Sequence, residues 1–123
     1  MNVVDSSAWL EYFADDPSAG FFAEVVEAPE QQLVPVITLC EVFNRLSTVR
    51  GEGAALQAIA LMQKGIVVDV SVSISLSAAR LSLQHRLPMA DSIILATART
   101  YGAELWTQDA DFADFEGVHY CAK

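Results

Sequence analysis

Five acids in this 123-residue chain stand where chemistry could be done: Asp5, Glu41, Asp91, Asp109 and, two positions on, Asp111. Each falls at the end of a strand-like run or near the start of a helix-like one. In an open parallel sheet, ligands bind beyond the carboxyl ends of the strands. Carboxylates brought there from separate segments repel, by about 4 kcal/mol for a pair ~4 Å apart at an effective dielectric near 20. They must raise one another's pKa, spread apart, or share a cation. An all-oxygen donor set without thiolate or imidazole suits Mg²⁺ or Mn²⁺ rather than Zn²⁺. Such a site serves phosphate chemistry.

Each acid also has a plainer reading. Asp5 alone is a turn or cap residue. Glu41 completes a Thr38-x-x-Glu41 capping box. Asp91 is a first-turn acid that complements a helix dipole, and Asp109 and Asp111 form a polar loop. Their joint placement carries the case.

The elements that must position them read as follows. Val3-Val4 is a short strand running into Asp5, and Ser6-Ser7 caps a helix beginning near Ala8. Asp16-Pro17 breaks that helix, and Phe21, Phe22, Val25 and Val26 carry a second to Ala28-Pro29. Leu33 to Ile37 is an apolar run in which Pro35 suits a strand end or edge. Leu39, Val42, Phe43, Leu46 and Val49 then recur at helical spacing, with Thr38 as N-cap. A helix over 54–63 and a strand over 66–70 follow. The next stretch alternates like a strand yet fits a helix to about His85. Pro88 opens a helix over 90–101. Glu104 to Thr107 is a strand, 108–116 an acidic loop, and Val118 to Tyr120 a last strand. Strands alternating with helices predict an α/β fold with a helix-covered parallel sheet, as one domain over residues 1–123.

Composition narrows the rest. Hydrophobic residues make up 53% of the chain and charged ones 19%, which excludes a disordered or fibrous protein. No apolar run approaches the ~20 residues of a membrane helix, and the early carboxylate of Asp5 argues against a signal peptide. Two cysteines, Cys40 and Cys121, are too few for a disulfide framework and fit a cytoplasmic protein. Cys40 is expected in the core, and His85 and His119 on the surface or an edge. Sixteen acids against seven bases give a net charge of −9. The bases are scattered in sequence with no cluster of three, which excludes a basic phosphate-gripping stripe. Most acids, including Glu11, Asp15, Asp16, Glu24, Glu27, Glu30 and Glu52, read as solvated surface.

Four segments resemble, in order and spacing, the motifs of PIN-domain ribonucleases, and within these the VapC toxins of toxin–antitoxin pairs. They are Val3-Val4-Asp5-Ser6-Ser7-Ala8, Thr38-Leu39-Cys40-Glu41-Val42-Phe43-Asn44-Arg45-Leu46, Leu87-Pro88-Met89-Ala90-Asp91-Ser92 with the helix to Ala98, and Leu105-Trp106-Thr107-Gln108-Asp109-Ala110-Asp111-Phe112. The resemblance implies a PIN-like three-layer fold, a central parallel sheet flanked by helices. It implies Mg²⁺- or Mn²⁺-dependent hydrolysis of RNA by water, a cognate antitoxin and a homodimer. Asp5, Glu41, Asp91 and Asp109 match the acidic quartet. Asp5 and Asp91 would be direct metal ligands; Glu41 and Asp109 would act through water or hold a second metal. Ser7 and Thr107 match hydroxyl residues that orient the acids, and Asp111 is auxiliary. Gln108 replaces a basic residue common in relatives, and the acidic surface is unusual for an RNA enzyme. Arg45, one turn past Glu41, reads as its i,i+4 partner rather than a phosphate contact.

Other readings stand beside this one. A PIN nuclease of RNA processing would need no antitoxin. A phospho-acceptor module would need a second acid beside Asp5 and a lysine near the end, and Lys64 and Lys123 are badly placed. A catalytically dead partner would have kept its acids for binding alone.

Overall fold

A computed structural model describes all 123 residues. Strand β1 (Asn2–Val4) leads into α1 (Ser6–Ala14) and α2 (Ala19–Val26); β2 (Leu33–Pro35) leads into α3 (Val36–Arg50) and α4 (Glu52–Met62). Strand β3 (Ile66–Val68) is followed by α5 (Val72–His85) and α6 (Met89–Thr100), then β4 (Glu104–Thr107) and β5 (Val118–Tyr120). All pairings are parallel: β1 with β4, β4 with β5, and β2 with β3. A bridge between Asn2 and Gln32 joins the two groups, so the spatial order is β3-β2-β1-β4-β5.

Successive strand residues point to opposite faces, and here they enter different cores. Val3, Leu33 and Leu105 pack with Ile74, Ala78 and Leu81 of α5 and Ile94 and Leu95 of α6. Their neighbours Val4, Val34 and Trp106 face Trp9 of α1, Phe22 of α2, Val42 of α3 and Met62 of α4. The result is a three-layer α/β/α fold. No helix is long and apolar enough to cross a membrane.

One buried amide is satisfied where the layers meet. Gln32 Nε2 donates to the carbonyls of Val25 at 2.6 Å and Val26 at 2.9 Å, at the end of α2 where helical acceptors run out of partners. Gly65, entering β3, has no room for a side chain, because a Cβ there would meet Val34 Cγ2 at 2.9 Å.

The strands at Glu104–Thr107 and Val118–Tyr120 fall where the sequence predicts them. Several other expectations need correction. Helix α1 starts at Ser6, with Asp5 rather than a serine as N-cap. Helix α3 starts at Val36, and Thr38 lies inside its first turn, donating from Oγ1 to the Pro35 carbonyl at 2.7 Å. Pro35 lacks an N–H and can occupy the cap without leaving a donor unsatisfied. The capping box therefore does not form. Strand β3 ends at Val68, and Ser71 caps α5 by accepting the Ile74 N–H at 3.1 Å. Val49 is exposed despite its place in the apolar pattern, and Cys40 is exposed rather than in the core. Glu11, expected at the surface, is buried and accepts the Ser18 N–H at 2.9 Å, tying α1 to the turn before α2.

Candidate active site

The two central strands deliver the core of the site. Asp5 follows β1 and stays in register, its N–H donating to the Trp106 carbonyl at 2.9 Å. Val4 pairs with Trp106, which puts Asp5 beside Thr107 at the end of β4. Asp5 is buried, and its Oδ2 accepts hydrogen bonds from Ser7 Oγ at 2.6 Å and Thr107 Oγ1 at 2.9 Å. Both hydroxyls also accept from the loop beyond β4: Ser7 Oγ from the Gln108 N–H at 3.1 Å, and Thr107 Oγ1 from the Asp109 N–H at 2.9 Å. One short network thus fixes the first acid and aims the loop that carries the next two.

That loop turns at once into a 3-10 turn over Ala110–Phe112, capped by Asp109 Oδ1 accepting the Asp111 N–H at 2.9 Å. The turn brings Asp111 back toward the rim. Asp91 arrives in the first turn of α6. Carboxylate oxygens of Asp91, Asp109 and Asp111 lie within 4.8 Å of one another. Glu41 sits on α3 past the first turn, where no cap role is open to it, and Oε1 accepts from Ser6 Oγ at 2.6 Å. Ser6, expected only as a cap, is thus an orienting residue that sequence reading missed. The signal was its place directly after Asp5.

The electrostatics single out Asp91. Burial, then the charges of Asp5, Asp109, Glu41 and Asp111, push its pKa from 3.8 to about 7. Burial also raises Asp5, and the Glu41 charge adds to it, while the Ser7 and Thr107 hydrogen bonds oppose the rise. All five sequence-predicted acids therefore belong to one electrostatic unit. Its tightest group is Asp91, Asp109 and Asp111; Asp5 and Glu41 are held by hydroxyls at its flank.

No basic group lies within 4.0 Å of any of these acids; the one contact of an acid with a basic side chain at that range is His119 with Glu104, at 2.7 Å. The expected Arg45–Glu41 pair does not form. His85 and His119 lie outside the acidic set, as expected. Carboxylates crowded together and half-buried without a counter-charge are unstable unless a proton or a cation joins them. The oxygen-only donor set fits a hard divalent ion.

Fold and site together define a three-layer α/β protein with an all-carboxylate rim at the carboxyl ends of its central strands. The chain belongs to the PIN domain family, whose model matches residues 3–118. No curated protein matches it. Among solved structures it is similar to a toxin–antitoxin complex from Klebsiella pneumoniae, with 26% identity and a TM-score of 0.81 over 97% of this chain and 96% of that one. It is also similar to VapC20 of Mycobacterium tuberculosis, described as a sarcin–ricin loop cleaving toxin, with 23% identity and a TM-score of 0.78 over 92% and 93% of the two chains. VapBC2 of Rickettsia felis, bound to promoter DNA, shares 12% identity with a TM-score of 0.75 over 98% of this chain and 97% of that chain. The last two likenesses concern the fold alone.

Proposed function

We propose that this chain is a single PIN domain over residues 1–123 acting in the cytoplasm as a Mg²⁺- or Mn²⁺-dependent endoribonuclease, the toxin of a VapBC-type pair. The observation that carries the reading is the uncompensated carboxylate group of Asp91, Asp109 and Asp111, joined electrostatically to Asp5 and Glu41. The Klebsiella likeness, a toxin–antitoxin complex, supports the antitoxin partner.

In this reading Asp5 and Asp91 would hold the ion directly, and Glu41 and Asp109 would act through water or hold a second ion. A bound divalent ion lowers the pKa of a water and neutralises charge developing on the phosphate. The chain's own residues do the positioning. Ser7 and Thr107 fix the Asp5 carboxylate through Oδ2, and Ser6 orients Glu41 toward the rim. Asp111 is the auxiliary acid, aimed by the Asp109 cap. Water delivered at this rim attacks phosphorus and displaces a ribose oxygen. A homodimer and a small antitoxin complete the assembly. Family membership removes the ground for the phospho-acceptor alternative.

The test is purification together with the product of the adjacent gene, release of the toxin, and mapping of cut sites in total RNA with and without Mg²⁺. Metal-dependent cuts that vanish in Asp5→Asn support the reading. Undiminished cleavage by Asp5→Asn overturns the site, and absence of cleavage by the freed wild type overturns the nuclease.

A further inference from the structure

Charge is divided unevenly along the chain. Of its sixteen acids only Asp91 lies within residues 70–103, the stretch that forms α5 and α6, against three of its seven bases, Arg80, Arg86 and Arg99. Asp91 belongs to the acidic rim at the start of α6. Arg99 stands in the last turn of the same helix, about 12 Å further along its axis. The far end of this helix pair thus gathers cations away from the acids.

Arg80 of α5 and Arg99 of α6 line a groove of about 340 Å³ between the two helices, together with Ser77, Gln84 and Thr100. Buried Leu81 and Ala96 form its base, and no carboxylate lines it. Neither arginine has a carboxylate oxygen within 4.0 Å. Arg50 alone among the arginines hydrogen-bonds within the chain, so every N–H of Arg80 and Arg99 is free for a ligand. Arg99 is steadied by the Phe115 ring, whose centre lies 5.4 Å from the guanidinium carbon. Asp114 and Glu116 flank that ring in sequence, yet neither comes within 4.0 Å of Arg99. A base in the last turn of α6 is explained by the helix dipole. Arg80 lies a turn short of the end of α5, where that reason is weak.

We propose that this groove binds a phosphate dianion, free or as the end group of a small phosphomonoester. Two cations lining one groove with no acid among them are relieved by an anion, as the crowded rim is by a cation. Guanidinium forks match phosphate oxygens in pairs. A phosphomonoester carries a charge of about −1.5 to −2 at neutral pH, which suits two arginines. A nucleic-acid strand, with one charge per phosphate, calls instead for cations in a row. The Ser77 hydroxyl and Gln84 amide can donate to the remaining oxygens. The Thr100 hydroxyl cannot, since it donates to the Ala96 carbonyl at 2.8 Å. The apolar base strengthens the attraction by excluding water beneath the charges. This site stands apart from the acidic rim and does not depend on the nuclease reading.

The test titrates inorganic phosphate and methyl phosphate into the protein and follows backbone amide shifts by NMR. EDTA is present, so that no bound metal ion recruits phosphate to the rim. Saturable shifts at Ser77, Gln84 and Thr100 are expected, with Asp5 and Asp109 unmoved, and the tighter ligand distinguishes the free ion from the ester. Arg80→Gln and Arg99→Gln should each weaken binding at least about tenfold, the scale of a lost hydrogen bond to a charged group. Arg80→Gln removes no hydrogen bond within the chain and tests the groove cleanly; melting temperature monitors Arg99→Gln, which loses the Phe115 contact. Arg99→Lys keeps the charge without the fork and should bind less tightly than the wild type. Arg45→Gln, on α3, should change nothing. Shifts that never saturate, or undiminished binding by the Arg80→Gln, Arg99→Gln double variant, overturn the site. So does a short RNA with a 5′-hydroxyl end that binds the same residues more tightly than either phosphate, which makes the face a nucleic-acid track. None of these results bears on cleavage at the acidic rim, so the two readings stand or fall separately.

Discussion

The two ends of β4 carry acids in opposite circumstances. At its start, Glu104 lies exposed and is bonded to His119, whose ring stacks on Trp106 with centroids 4.1 Å apart. Just past its end, Asp109 and Asp111 crowd against Asp91 with no basic group within 4.0 Å. Equal formal charge on one strand thus gives a closed surface pair at one end and an open demand for a cation at the other. The difference lies in burial and company. Glu104 keeps its water and has a partner, whereas Asp91 is half-buried among four other carboxylates.

Four outcomes would break or sharpen that contrast. The largest is expected at Asp91. Replacing it with Asn should cut RNA cleavage by at least about a hundredfold, the scale on which lost electrostatic preorganisation is felt. Metal-free folding should survive, since a repelled charge has been removed; a collapsed melting curve would show that Asp91 is structural.

Next comes cation binding, read without any activity. Mg²⁺ or Mn²⁺ at a hundredfold excess over its Kd should stabilise the wild type by about 2.7 kcal/mol, because the folded state alone offers the site. The pH dependence has a definite sign. A carboxyl raised from 3.8 to about 7 binds its proton more tightly when folded, so metal-free stability is complete at acid pH and declines as pH rises through that window. For half-buried Asp91, discounted for solvent screening, the decline is about 1 to 2 kcal/mol. Because the ion competes with that proton, its stabilising effect should grow from pH 5.5 to 7.5. Thermal melts across pH, with and without metal, check both; a metal effect that Asp91→Asn retains would move the ion elsewhere.

A smaller effect belongs to the hydroxyls. Ser7→Ala and Thr107→Val should each lower metal affinity or cleavage by about 10- to 100-fold, as loss of groups supporting metal ligands does. Titration calorimetry would separate affinity from rate. Smallest of all, Glu104→Gln should leave cleavage unchanged and shift stability by no more than about 0.5 kcal/mol, as for exposed ion pairs generally.

Part of this was legible in the chain and part was not, for reasons visible at single residues. Val3-Val4-Asp5 and Glu104 to Thr107 announce themselves through local patterning, and both strands form in place. Thr38 and Glu41 show the opposite case. Their spacing is a sound cap signature, but Pro35, free of an N–H, lets the helix begin two residues before Thr38 and releases Glu41 to the site. Glu11 looks like any polar helix position until the turn to α2 folds back over it.

Residue order alone settled which segments alternate between strand and helix, and therefore that acids from separate segments lie at strand ends and helix starts. Those are local consequences of hydrophobic period and chain-breaking residues. Which carboxylates crowd together and which hydroxyl serves which acid depended on packing across the sheet. Contacts of that kind join residues far apart in the chain, and no local pattern encodes the angle at which one element docks on another.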